Sequence, residues 1–176
     1  MSNENMPSPG LFLQTTQGYL DSAAIKGAVE LNLFTVIAEG ANIVKEIEKK
    51  CQATERGIRI LCDYLSVLGF LNKADDTYTL TADSDAFLNK NSPAYMGDIV
   101  YFLLDPFFVK DIDDVAGIVR KGAIEKSAGS NEPEHPMWVT FARAMSGLQA
   151  YPAAFMSDMI EIETGKTIEV LDIAAG

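Results

Sequence analysis

The sequence predicts a mainly α chain that opens as a winged helix, continues as helices and ends on one β-strand of α/β type. Three observations carry this. Apolar residues recur at helical spacing through most of residues 1–90. A two-strand pattern follows the third predicted helix. The last ten residues are an apolar run that ends in Ala-Ala-Gly.

The first helix is predicted over Thr16–Glu39, where Leu20, Ala24, Ala28, Leu31 and Phe34 recur at spacings of three and four. Gly40 stops it, since glycine tolerates left-handed backbone. Asn42 is a candidate N-cap for a short helix over Ile43–Lys50, and Thr54 for the next. That third helix places Ile58, Leu61, Leu65 and Leu68 on one face and closes at Gly69. Phe70-Leu71, a polar turn over Asn72–Asp76 and Tyr78-Thr79-Leu80-Thr81 then form a β-hairpin. Long helix, short helix, helix and hairpin, joined by short connections, is the order of a winged helix.

The middle of the chain is helical and apolar. Asp83–Leu88 is a short helix, and Pro93 begins another element. Nine of the eleven residues of Ile99–Val109 are aliphatic or aromatic, so this segment needs cover on several sides. It is either an ordinary core helix or one shared between two subunits. Gly122–Pro136 is a polar linker, and a helix over Met137–Ala150 follows it. Pro152 has no amide hydrogen, so it ends that helix or starts another reaching Glu161.

Composition narrows the function. The formal net charge is −11, from 14 basic and 25 acidic residues, which disfavours nucleic acid and anionic membranes as partners. No signal sequence opens the chain, and its longest apolar stretch, interrupted by Asp105 and Pro106, is too short to span a bilayer. Cys51 and Cys62 have neither disulfide nor metal-ligand spacing, so no metal is expected, and a reducing cytoplasm suits them.

The closing segment carries the most chemistry. Ile168, Val170, Leu171 and Ile173 read as a strand of a parallel sheet, apolar on both faces. Ala174, Ala175 and Gly176 follow at once, and small residues at such a strand end let a nucleotide-like ligand reach the backbone.

The run Val170-Leu171-Asp172-Ile173-Ala174-Ala175-Gly176 resembles the first S-adenosylmethionine (SAM) motif of class I methyltransferases, hydrophobic-hydrophobic-Asp-x-Gly-x-Gly-x-Gly, with Ala174 where the first glycine usually stands. Ala28-Val29-Glu30-Leu31-Asn32-Leu33-Phe34, Arg59-Ile60-Leu61-Cys62-Asp63-Tyr64-Leu65 and Phe141-Ala142-Arg143-Ala144-Met145 are similar to stretches of one branch, the dimeric O-methyltransferases of plant-phenol and bacterial-polyketide type.

The resemblance implies a winged-helix dimerisation domain over 1–90, a helical linker and substrate cap over 91–165, and over 166–176 the first strand and glycine turn of a Rossmann-like SAM domain. It implies a homodimer that methylates a hydroxyl of a small aromatic or polyketide-like molecule. Asp172, Ala174 and Gly176 would then touch SAM, and Gln149 would bond its carboxylate end. The family's catalytic base falls beyond Gly176, and the single histidine, His135, lies in the linker, so no catalytic residue is assigned. Without the rest of the cofactor domain, residues 1–176 are expected neither to bind SAM tightly nor to methylate.

Trp138, Phe141, Met145 and Gln149 fall on one side of the predicted helix. The plain reading of Phe141 and Met145 is a core stripe. The family's matching helix lines the cavity between cap and cofactor domain, which implies that Phe141 and Met145 border substrate and methyl group, with Trp138 at the outer wall. The alternative function is a winged-helix transcription regulator. From Asn42 to Lys73 there are six basic and four acidic residues, which does not exclude DNA, but Asp75 and Asp76 at the wing tip would face phosphate.

Overall fold

The computed structural model describes residues 7–123, 137–160 and 171. Within them the chain is mainly helical, with one two-stranded sheet. The core lies under residues 28–80 and takes in Val100.

The predicted first helix is two helices. Helix α1 spans Gly10–Glu30 and α2 spans Leu33–Ala38. Between them Asn32 takes φ 56°, a left-handed conformation that asparagine tolerates better than other side-chain-bearing residues. The bend turns Leu33, Phe34, Val36 and Ile37 inward, where each is buried. A straight helix would have carried part of that run to solvent. Gly40, at φ +92°, ends α2 as expected.

Helix α3, Val44–Cys51, is not capped by Asn42. Its N-cap is Ile43 in extended backbone. The Asn42 carbonyl instead accepts from the Tyr78 amide at 2.8 Å, and Ile43 bridges to Thr77, so the hairpin draws this stretch out. Helix α4, Glu55–Val67, starts as predicted: Thr54 Oγ1 accepts from the Gly57 amide at 3.2 Å. Its fully buried line is Ile58, Cys62 and Leu65.

The hairpin is tighter than the sequence reading. Strand β1 spans Leu71–Ala74 and β2 spans Thr77–Leu80, antiparallel, with Leu71 opposite Leu80 and Ala74 opposite Thr77. Only Asp75 and Asp76 turn, with Asp75 at φ 51°. Thr81 leaves the strand and caps α5, Ala82–Leu88, by accepting from the Ser84 amide at 3.3 Å. The Ser84 hydroxyl donates to the Phe70 carbonyl at 2.6 Å and locks the hairpin base to that helix.

No helix or strand begins at Pro93; residues 89–98 are turns and bends. The predicted apolar helix is broken at Leu104-Asp105 into α6, Ile99–Leu103, and α7, Pro106–Asp111, because Pro106 disfavours helical backbone at the residue before it. Helix α8, Val115–Lys121, follows, capped by Asp114 and ended by Gly122 at φ +73°. Helix α9 runs unbroken over Met137–Met159 with Pro152 inside it. The expected break is absent: one lost amide bond is tolerated between helix-forming Gln149-Ala150 and Ala153-Ala154. The predicted linker from residue 124 on and the strand Ile168–Ile173 lie outside the described residues, apart from Leu171, which is exposed.

Candidate functional site

Helix α9 carries the four expected residues that the structure describes. Its packed side is not the Phe141–Met145–Gln149 line. Met137 and Ala144 are the buried positions, and Gly147 meets the turn before α6 so closely that a Cβ there would stand 2.8 Å from the Tyr95 carbonyl oxygen. At about 100° per residue, that packed side lies roughly 100° around the axis from the expected stripe. Phe141 keeps 36% of its surface exposed and Trp138 41%; Met145 is half-buried and Gln149 exposed. A plain core stripe would be sealed, and this one is not.

Helix α6 supplies what the sequence reading missed. Phe102 meets Phe141 edge-to-face, with ring centroids 5.2 Å apart and planes at 64°. Trp138 meets the same ring at 6.0 Å and 87°. Such tilted pairs let the positive edge of one ring meet the negative face of another. Phe141 is therefore the middle ring of an aromatic cluster drawn from two helices. The signal in the sequence was the apolar run around Phe102, but nothing there distinguishes a ring facing α9 from one facing a second subunit.

A cleft of about 280 Å³ lies on the other flank of α9, lined by Tyr95, Met96, Asp98, Arg143, Ala144 and Ser146 among others. None of the expected site residues lines it. Tyr95 donates to Asp98 Oδ1 at 2.7 Å, and burial holds the phenol far above its usual range, so it is a fixed neutral donor.

The cysteines are not nucleophiles in waiting. Burial, with Cys51 and Asp63 adding to it, pushes the Cys62 thiol up to about 12, and burial also raises Cys51. Among the described residues no group of three or more histidine, cysteine, aspartate or glutamate side chains could hold a metal. No described helix is long and apolar enough to cross a membrane.

At the hairpin, Asp63 accepts from Lys73 Nζ at 2.6 Å and from the Tyr78 hydroxyl at 2.6 Å. The Lys73 charge is thus partly spent on α4. On the outer side of α4, Ile60 and Val67 are exposed at 56% and 84%. Of the remaining expected positions, Asp172, Ala174 and Gly176 lie outside the described residues, as does His135.

Residues 13–90 match the family described as O-methyltransferase dimerisation domain. Three longer proteins are similar to the chain. The chain is 36% identical over 90 residues to the tetracenomycin polyketide synthesis 8-O-methyl transferase TcmO of Streptomyces glaucescens, a match spanning 51% of this chain and 26% of that enzyme. Its structure is similar to that of a Nostoc punctiforme protein assigned as an O-methyltransferase, with TM-score 0.78 and 44% identity, over 90% of this chain and 48% of that one. Human N-acetylserotonin methyltransferase, solved in complex with SAM, shares the fold at TM-score 0.61 and 18% identity, over 90% of this chain and 47% of the human one. The chain thus spans about half the length of these solved relatives.

Proposed function

We propose that this chain is the dimerisation and substrate-cap half of a SAM-dependent O-methyltransferase acting on a hydroxyl of a small aromatic or polyketide-like molecule. The observation that carries the reading is the half-open aromatic face of α9, presented beside an O-methyltransferase dimerisation domain. In this reading 1–90 is a winged-helix dimerisation domain, 91–165 the linker and cap, and 166–176 the first strand and turn of a Rossmann-like cofactor domain. The polyketide substrate named for the Streptomyces glaucescens relative supports the acceptor class. The protein works as a homodimer in the cytoplasm.

Phe141 and Met145 border the acceptor and the methyl group, with Trp138 at the outer wall. An aromatic face and a polarisable sulfur suit both an apolar ring and a sulfonium cation. Gln149 suits the cofactor: it is exposed, and a side-chain amide can donate to a carboxylate. Asp172, Ala174 and Gly176 complete the contact. SAM, when bound, supplies an activated methyl group. The residues of this chain hold the acceptor hydroxyl in line with it and exclude water, and such positioning supplies much of the rate.

A transcription regulator fits less well. The turn of the proposed wing is Asp75-Asp76, Lys73 is paired, and α4 presents Ile60 and Val67 outward. These features oppose phosphate contact.

The test joins this chain to the C-terminal half of the Nostoc punctiforme relative. The chimera should transfer methyl groups from SAM to planar phenols, and Met145→Ala should depress turnover with little change in melting temperature. Calorimetry on residues 1–176 alone should show no micromolar SAM affinity. A chimera that folds but methylates no phenol, or a Met145→Ala loss wholly explained by unfolding, sinks the reading.

A further inference from the structure

We propose that Phe102 on α6 is a specificity-determining residue of the acceptor site, gripping a flat, neutral aromatic ring together with Phe141 and Trp138, and that this grip needs no cofactor. The proposal rests on the methyltransferase reading for the acceptor's class and adds to it a residue and a selection rule.

The register of α6 is the first argument. In this short helix Val100 enters the core at 8% exposure and Leu103 points outward at 58%, which leaves Phe102 on the side that meets α9. The second is that α9 has other seats beside the cluster, at buried Ala144 and at the backbone approach of Gly147. Rings recruited only for packing would be closed over, yet Trp138 and Phe141 keep 41% and 36% of their surface open.

The third argument is geometric. Both neighbours of Phe141 are tilted against it, at 64° and 87°, so the cluster presents rings in crossed orientations rather than a flat apolar wall. A planar aromatic guest can stack on one ring and set its edge against another, a gain a saturated guest of equal size cannot match. Charge selects further. With a net charge of −11 the chain repels anions, which favours the protonated phenol over the phenolate. Continuity with half-buried Met145 and exposed Gln149 places the guest's other edge toward the proposed methyl position.

Trp138 is the only tryptophan, so its emission reports on this cluster alone. Residues 1–176, without SAM, are titrated with 1-hydroxyanthraquinone as the planar neutral phenol and with 4-cyclohexylcyclohexanol as the saturated control. Emission is corrected for absorption and referenced to free N-acetyltryptophanamide. The expected result is saturable quenching by the planar phenol and none by the control. Affinity should fall about tenfold in Phe102→Ala, and Phe102→Tyr should stay within about threefold of the parent.

If Phe102→Ala loses its circular-dichroism signature, Phe102→Leu decides, since it keeps volume and removes the ring; the same tenfold loss is expected. Quenching that is linear and equal to that of the free indole, equal binding of the saturated alcohol, or unchanged affinity in the ring-less variant each overturns the proposal. Methylation by the chimera without planar binding by residues 1–176 removes this inference alone. Planar binding without methylation by the chimera removes the methyltransferase reading and leaves the aromatic grip standing.

Discussion

Gly147 shows how one missing methyl group sets the position of a helix. The space where its Cβ would stand is 2.8 Å from the Tyr95 carbonyl oxygen and 3.2 Å from Met96 Cα, both backbone atoms that cannot swing aside. Gly147→Ala should therefore push α9 off the 95–103 segment, destabilising the fold by about 1–3 kcal/mol and shifting Trp138 emission. Gly27→Ala is the matched control: nothing lies within 4 Å of its would-be Cβ in α1, and the helix should gain up to about 1 kcal/mol. Thermal melts of both variants check this; equal effects would mean that the close approach does not position α9. Asn32 is a different case. It accepts a left-handed backbone, and its side-chain Oδ1 is buried with no hydrogen-bond partner. Its own residue type hinted at the bend, but only the burial of Leu33 and Phe34 beyond it explains why the chain turns there.

The hairpin is held to α4 by a pair of bonds to one carboxylate. The hydrogen bond from Lys73, then that from Tyr78, holds Asp63 below its ordinary range. A carboxyl depressed in the folded state adds stability that is fully present above its unfolded value of about 3.9 and is lost as pH falls through the folded one. Wild type should therefore melt above Asp63→Asn at pH 6, and the two curves should converge only in acid, below the unfolded value of about 3.9. Because Asp63 and Lys73 are both about 40% exposed, the difference should stay below about 1 kcal/mol. A gap that persists in acid would assign the effect to packing instead. The same strands show why the hairpin was only partly legible. Alternation and the acidic turn announced it, but the handover of Thr81 from strand to helix cap depends on Ser84 reaching the Phe70 carbonyl, a bond across 14 residues.

At the scale of the whole molecule, an apolar surface of the described residues lies where α1 begins: Leu11, Phe12 and Tyr19 are 79%, 68% and 71% exposed. The similarity of residues 13–90 to a family described as a dimerisation domain suits such a face. The proposed homodimer should thus dissociate when Phe12 and Tyr19 are both changed to Asp, with light scattering reporting a monomer that keeps its helical circular dichroism. A dimer that survives both charges would move the interface elsewhere. Ile99–Val109, read from sequence as either a core helix or one shared between two subunits, has contacts within the chain: Val100 joins the core, Tyr101 and Leu104 pack on it, and Phe102 meets α9.

Periodicity and capping residues by themselves determined the helical class, the start of α4 at Thr54, the stop at Gly40 and the presence of a hairpin, because these depend on neighbours within one turn of chain. The family resemblance, resting on short local motifs, was legible for the same reason. What only the tertiary structure decided were the features set by distant partners: the bend at Asn32, the loss of Asn42 as a cap to the hairpin, and the unbroken helix through Pro152. The rotation of the packed side of α9 away from Phe141 and Met145 belongs with them. A side chain's helical position says which residues share its face, but which face is buried depends on what another element brings to it. Here the backbone at Tyr95 approaches Gly147, and Phe102 arrives from 39 residues before Phe141.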